Sequence, residues 1–255
     1  MSDGVPVSLV CVGLLGAAVD DGGLLERAFS EACATQGVVP GTAAYARAMV
    51  TVHQSLGQPP VEVFRTLFPG GQGRAEAAAL SFERSFRFAV DRSGLRAEPG
   101  AAEALGELRD SGVKTCLITA LSRPLLAVTL DAVGWWRKAD LVLCQEDVSR
   151  GCPWPDLVLT AMLRLGAGDV REMGFAGCTS SGVLCGKRAG ASLVAGVLRG
   201  GHTEDRLRKA GATHVIGSLS ELPGLVAADG AARPVSSSAS APVARVPLEH
   251  RSAGL

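Results

Sequence analysis

Few side chains in this 255-residue sequence could do chemistry, and they lie far apart along it. Asp20 and Asp21 precede a Gly-Gly turn, where an aspartate ordinarily caps a helix and a catalytic carboxylate is the alternative. Cys178 comes just before a helix predicted to begin near Ser180, where a thiolate could be stabilised. The other interpretation of Cys178 and of Cys152 is that both are inert small residues that fill space.

Three further polar residues have ordinary structural explanations. Thr119 ends an apolar run and could simply cap the helix that follows. His53 falls within a predicted helix and His202 within a Gly-rich turn, so both are predicted to be surface residues or satisfied core residues. These residue types alone do not assign a catalytic group.

Six apolar runs of strand length alternate with helical patterns, and they predict the scaffold that must position these residues. The runs are 7–14, 113–119, 141–144, 172–176, 192–197 and 214–216. The helical patterns between or after them are 101–111, 124–133, 155–165 and 203–210. This alternation indicates an α/β fold with a doubly wound, Rossmann-like parallel sheet. In such sheets, ligands bind beyond the carboxyl ends of the strands.

The stretch from residue 21 to residue 95 breaks this alternation because it is nearly all helical. Its helical patterns are 24–34, 42–56, 61–67 and 75–89, separated by Gly and Pro. We therefore predict an α/β core of residues 1–20 and 96–226 with an inserted helical domain of residues 21–95. From residue 227 the chain turns to Ala, Ser, Pro and Arg without periodicity, which predicts a disordered tail over 227–255.

Composition narrows the classes of function. Lys and Arg total 25 and balance 25 Asp and Glu, so there is no electrostatic footprint for nucleic acid or an acidic membrane surface. No apolar run reaches the roughly 18 residues of a membrane span. The first residues lack a signal-peptide pattern, and a cytoplasmic protein is expected. The seven cysteines are irregularly spaced without a Cys-x-x-Cys pair, so neither a zinc site nor a disulfide framework is expected.

The first strand and its turn resemble the opening motif of the haloacid dehalogenase-like (HAD) phosphohydrolases, above all their phosphonatase-like branch. That branch has an apolar strand, Asp, two residues, Gly-Thr-Thr, Val and then an acidic residue and Gly. Gly16 and the run Val19-Asp20-Asp21-Gly22 fit this frame without a gap. The resemblance places Gly13 at the position of the nucleophilic aspartate and Ala17 at that of the first threonine. It also implies that the inserted helices are a cap.

The other motifs of the family also match with altered residues. The resemblance keeps Thr119 as the phosphoryl-binding threonine, followed by Ala120 in place of glycine. Cys152 takes the place of the cation that neutralises phosphate, and Cys178 and Gly182 take the places of two Mg²⁺-binding aspartates. The pocket candidates are Gly13, Gly16, Ala17, Thr119, Ala120, Cys152, Cys178 and Thr179.

These departures predict a catalytically degenerate HAD-like protein, a pseudo-phosphatase that binds a small ligand or a partner protein through the cap–core pocket. No metal or cofactor is expected, because Mg²⁺ prefers oxygen ligands and the motif positions hold no carboxylate. Pro60 stands where the resemblance expects the Schiff-base lysine of phosphonoacetaldehyde hydrolases.

Two alternatives stay open. One is a metal-independent cyclase, isomerase or lyase of specialised metabolism that uses the same cavity. The other is an active phosphatase or phosphonatase-like hydrolase whose ligands have moved. Neither nucleic acid nor a membrane is expected as a partner, and the sequence leaves a homodimer open.

Overall fold

The structure, a computed structural model, describes residues 5–231. Its strands are β1 (Leu9–Gly13), β2 (Val19–Asp20), β3 (Arg96–Ala97), β4 (Lys114–Ile118), β5 (Leu141–Leu143), β6 (Met173–Gly177), β7 (Leu193–Val197) and β8 (His214–Ile216). Six of them form one parallel sheet in the order β5-β4-β1-β6-β7-β8. These six strands match the six apolar runs, and the predicted α/β fold with a doubly wound parallel sheet is confirmed.

Helices cover both faces of this sheet. The helices are α1 (Leu24–Thr35), α2 (Ala43–Gln54), α3 (Pro60–Leu67), α4 (Gln72–Ser93), α5 (Ala101–Asp110), α6 (Arg123–Val133), α7 (Asp156–Leu165), α8 (Ser180–Arg188), α9 (Glu204–Ala210) and α10 (Leu222–Ala231). Leu9 and Cys11 of β1 pack on the side of α7, α8 and α9, whereas Val10 and Val12 pack on the side of α5, α6 and α10. Successive side chains of a strand point to opposite faces, so a strand covered on both faces is apolar throughout.

The helical insertion has its own aromatic centre. Helices α1 to α4 pack against one another, and the rings of Phe29, Phe64, Phe82 and Phe86 meet between them. Phe64, Phe82 and Phe86 are fully buried. The four rings belong to α1, α3 and α4, and their contacts hold these three helices against one another.

A short ribbon that the sequence did not predict joins the insertion to the core. Strand β2 pairs antiparallel with β3, so the chain leaves the core and returns to it side by side. The predicted boundaries near residues 20 and 96 fall on these two strands.

The C-terminal helix extends beyond the predicted end of the core. The boundary after residue 226 falls inside α10, because Leu222 and Val226 are buried against the core and hold this segment as a helix. The rest of the predicted tail, residues 232–255, lies outside the described residues, as do residues 1–4. Within residues 5–231, no helix has the length and apolar character needed to cross a membrane.

Candidate active site between cap and core

A cavity of about 290 Å³ lies between the helical cap and the carboxyl ends of β1, β4 and β6. The chain order reverses beside β1, and ligands of open α/β sheets bind at such a point. Seven of the eight pocket candidates line this cavity: Gly13, Gly16, Thr119, Ala120, Cys152, Cys178 and Thr179. The eighth, Ala17, does not line it, because the turn buries this residue behind Gly13.

The backbone at Gly13 does not require a glycine. Its φ lies outside the left-handed region, and a Cβ there would lie 3.6 Å from the Gly177 Cα and 3.7 Å from the Ala176 carbonyl oxygen, which are ordinary contacts. Gly16 is different, because its φ is +78° and a Cβ there would lie 2.7 Å from the Cys178 Sγ. The turn therefore needs glycine at position 16 and tolerates a side chain at position 13.

This contrast gives a prediction about stability. Gly13→Ala is expected to raise the free energy of unfolding by about 0.4–1 kcal/mol, since alanine restricts the unfolded chain without strain in the folded one. Gly16→Ala is expected to lower it by more than about 1 kcal/mol, because of the positive φ and the thiol contact. Urea denaturation of both variants measures the two effects. Equal effects of the two substitutions would contradict this account of the turn.

Cys178 is a packed thiol. A Cβ at either Gly16 or Gly200 would come within 2.7 Å of its Sγ, and the Sγ donates a weak hydrogen bond to the Leu15 carbonyl oxygen at 3.5 Å. Burial raises the pKa of the Cys178 thiol to about 12. Although α8 begins at Ser180 as expected, its N-terminus does not produce a thiolate here, so this geometry favours the space-filling interpretation.

The residues at these positions do not fit the Mg²⁺ ion that the resemblance implies. Gly13, Cys178 and Gly182 offer no side-chain oxygen, and Mg²⁺ needs hard oxygen ligands. The Phe175 ring occupies the adjoining space, 3.1 Å from where a Cβ of Gly182 would lie. Among residues 5–231, no group of three or more His, Cys, Asp or Glu side chains is arranged to hold a metal ion.

Asp21 brings a carboxylate to the cavity from outside the expected positions. Its Oδ2 accepts a hydrogen bond from the Leu25 N–H at 2.7 Å, so it does serve the first turn of α1. Its side chain also lines the cavity, where desolvation raises the pKa of the carboxyl group despite the Leu25 hydrogen bond. Asp20 is exposed and accepts only the Gly22 N–H, at 2.8 Å. Hydrogen bonds to the local backbone explain both residues, but only Asp21 also lines the cavity.

Sequence reasoning also missed two residues of α1 and α2 at the cavity. Glu26 and His53 line it, with the Glu26 Oε1 3.4 Å from the His53 Nε2. Both side chains are about half exposed, so the prediction that His53 lies at the surface holds, although the cavity opens beside it. The helical periodicity of the sequence predicts which face of α1 holds Glu26 and which face of α2 holds His53. It does not predict that these two faces meet at the cavity.

His202 links the cap to the core through hydrogen bonds. This buried ring accepts the Ser180 N–H at its Nδ1 and donates from its Nε2 to the His53 carbonyl oxygen, both at 2.8 Å. The bonds define the neutral tautomer with the proton on Nε2, and burial lowers the pKa of the ring. Gly57 of the cap approaches the core so closely that a Cβ there would overlap the Thr179 Oγ1. The cap is therefore held against the core beside the strand ends, while the cavity stays open near Glu26 and His53.

Hydrogen-bond donors are free at the cavity floor. Within residues 5–231, the backbone N–H groups of Leu15 and Ala120 donate to no protein acceptor. The Thr119 Oγ1 accepts the Leu121 N–H at 3.2 Å, which leaves the hydroxyl proton for another acceptor. Leu15, Thr119 and Ala120 all line the cavity. Together they can stabilise an oxygen atom that carries negative charge.

A doubly wound sheet whose strand ends are closed by an inserted helical cap defines a class of α/β hydrolases. Residues 25–190 match the family model of the haloacid dehalogenase-like hydrolases, and this chain belongs to that family.

The sequence is 31% identical over 177 residues to a protein named probable phosphatase IndB from Dickeya dadantii (strain 3937), covering 68% of this chain and 76% of that protein. It is 31% identical over 156 residues to a phosphonoacetaldehyde hydrolase from Hahella chejuensis (strain KCTC 2396), covering 51% and 52% of the two chains. Among solved structures, a phosphonoacetaldehyde hydrolase-like protein from Oleispira antarctica superposes with a TM-score of 0.77 at 20% identity, covering 91% and 95%. A hydrolase from Pseudomonas syringae gives a TM-score of 0.75 at 24% identity, covering 86% and 97%. These superpositions support the fold.

The prediction of a catalytically degenerate pseudo-phosphatase is wrong on these comparisons. The family is one of hydrolases, and the curated relatives are named as a phosphatase and a phosphonoacetaldehyde hydrolase, which favours a phosphatase-like hydrolase. These names give no support to a cyclase, isomerase or lyase either. The sequence pattern favoured helix capping for Asp20 and Asp21 and left a catalytic carboxylate as the alternative, and Asp21 does line the cavity. The assignment of Gly13, Cys152, Cys178 and Gly182 to the catalytic positions of the family motifs stays a prediction from the resemblance.

Proposed function

We propose that this chain is a phosphatase-like hydrolase that cleaves an ester bond of a small molecule held between cap and core, with Asp21 as the general base. The observation that carries the proposal is the position of Asp21, which follows β2 and lines the cavity just before α1 begins. The names of the curated relatives support hydrolysis as the reaction class.

Asp21 would act on water. Its carboxylate takes a proton from a water molecule as the water oxygen attacks the ester, and the same proton then passes to the leaving oxygen. A carboxyl group whose pKa is raised by burial is a stronger base than an ordinary aspartate. General-base catalysis of this kind contributes about 10²–10⁴-fold to the rate.

The floor of the cavity would stabilise the charge that develops. The free N–H groups of Leu15 and Ala120 and the hydroxyl proton of Thr119 can donate to an oxygen atom of the substrate as it becomes negative. The cap, held to the core by the His202 hydrogen bond, covers part of the cavity and would reduce its contact with bulk water, which strengthens these interactions.

We also propose that the reaction needs no Mg²⁺ and that the protein works in the cytoplasm. The residues at the positions matched to the family motifs support the first point, because Gly13, Cys178 and Gly182 are not the carboxylates that Mg²⁺ prefers. The second point is supported by the cysteines, since all seven are free and buried, as in a reducing compartment.

Steady-state assays with p-nitrophenyl phosphate and p-nitrophenyl acetate test the proposal. We expect turnover of at least one ester that persists in the presence of a metal chelator. Thr119→Val, which keeps the shape of the side chain, is expected to lower kcat about tenfold through the loss of one hydrogen bond. Thr119→Ser is the matched control and should stay near the wild-type rate. Absence of turnover, or its abolition by the chelator, would contradict the proposal.

A further inference from the structure

Two carboxylates line the cavity, and among the described residues the one lining side chain that can become positive, His53, already pairs with Glu26 at 3.4 Å. Asp21 and Glu26 line it, and no Lys or Arg of residues 5–231 does. Two arginines on neighbouring elements are held elsewhere. Arg199 pairs with Glu98 at 3.4 Å, and Arg206 reaches the Gln54 carbonyl oxygen at 3.4 Å.

The walls of the cavity are largely apolar. Leu25, Phe29, Val52, Leu56, Ile118 and Leu157 are among the residues that line it. A low-dielectric wall strengthens the repulsion between a carboxylate and an incoming anion. An anion would also lose its hydration and would meet no Lys or Arg among the lining residues of 5–231 in return. The cavity is therefore poorly suited to a phosphoryl dianion.

We propose that the substrate is a small, uncharged, mostly apolar carboxylic ester. This inference rests on the proposed hydrolysis and adds the substrate class. The oxygen of water bonds to the carbonyl carbon, the bond from that carbon to the alkoxy oxygen breaks, and the products are a carboxylic acid and an alcohol. The volume of about 290 Å³ is at the lower end of the roughly 300–1,000 Å³ of small-molecule pockets.

A matched pair of unreactive probes tests the preference for an uncharged ligand. Isothermal titration of the wild-type protein with 1-acetonaphthone and with 1-naphthylphosphonate compares one ring system with and without negative charge. We expect the ketone to bind at least about tenfold more tightly, equivalent to about 1.4 kcal/mol. Hydrolysis rates of 1-naphthyl acetate and 1-naphthyl phosphate should show the same order in kcat/KM.

A charge-neutralising variant tests whether the carboxylates at the cavity cause the preference for an uncharged ligand. Glu26→Gln is expected to improve phosphonate binding several-fold and to leave ketone binding unchanged, because it removes one of the carboxylates at the cavity. Glu31→Gln is the matched control, since Glu31 is an exposed residue of the same helix that does not line the cavity.

The outcomes separate this inference from the proposed function. Phosphonate binding as tight as ketone binding, or no binding of either probe, would overturn the inference. Selective ketone binding with no hydrolysis of 1-naphthyl acetate would support the preference for an uncharged ligand and contradict the proposed function.

Discussion

Asp21→Asn is expected to lower kcat by about 10²–10⁴-fold while KM changes little. An amide is too weak a base to take a proton from water, but its oxygen can still accept the Leu25 N–H that the carboxylate holds at 2.7 Å. The turn into α1 is therefore kept while the base is lost. Steady-state kinetics on the best p-nitrophenyl ester measure the effect.

The pH profile provides a second readout for Asp21. The base must be ionised, so activity should fall as the pH drops through the pKa of Asp21 in the folded protein. Because burial raises this pKa, the acid limb should lie above the value of about 3.9 of an ordinary aspartate. The limb should disappear from the residual activity of Asp21→Asn.

The same raised pKa affects stability with a defined sign. The folded protein binds the Asp21 proton more tightly than the unfolded chain does, so this stabilisation is present at low pH and is lost as the pH rises through the folded pKa. Asp21→Asn should therefore melt at a higher temperature than the wild type near neutral pH.

Asp20→Asn is the matched control for both readouts, since Asp20 is exposed and its carboxylate caps only the Gly22 N–H. It should keep the wild-type rate and pH profile. Equal activity of the Asp21→Asn and Asp20→Asn proteins would contradict the assignment of Asp21 as the general base.

Phe82→Ala is expected to lower the free energy of unfolding by about 3–5 kcal/mol. Phe82 is fully buried in α4, and its ring centroid lies 4.5 Å from that of Phe29, 6.0 Å from that of Phe86 and 6.4 Å from that of Phe64. Alanine would leave a cavity at the meeting point of the cap helices. Urea denaturation followed by circular dichroism measures the loss.

Phe88 supplies the control on the same helix. Its side chain is 61% exposed, so Phe88→Ala should change the free energy of unfolding by less than about 0.5 kcal/mol. Similar losses in the two variants would mean that the aromatic cluster does not hold the cap together. Because the cap forms one wall of the cavity, Phe82→Ala should also reduce hydrolysis well below its melting temperature.

The main strands were predictable from the sequence because their burial is nearly complete. The strands β1 and β7 contain no polar side chain and lie within the predicted runs 7–14 and 192–197, with both faces covered. A strand of two residues gives no such pattern, so β2 and β3 were missed, although their pairing joins cap to core. The two strands form because residues 19–20 and 96–97, which are distant in sequence, pair with each other in the folded chain.

The site was only partly predictable for a related reason. Gly13, Thr119 and Cys178 could be placed at one edge because parallel strands end together. The environments of Asp21 and Cys178 could not be predicted from the sequence. They depend on the turn that follows β1, on Gly200 and on the cap, and these segments are far apart in sequence.

The sequence by itself determined the α/β scaffold, the helical insertion and the residue types at the positions matched to the family motifs, because burial periodicity and residue identity are local properties. Only the tertiary structure decided that Asp21 lines the cavity, that burial raises the pKa of the Cys178 thiol and that Ala17 is buried away from the cavity. Solvation and charge at a site are set by every segment that surrounds it, and those segments meet only in the folded chain.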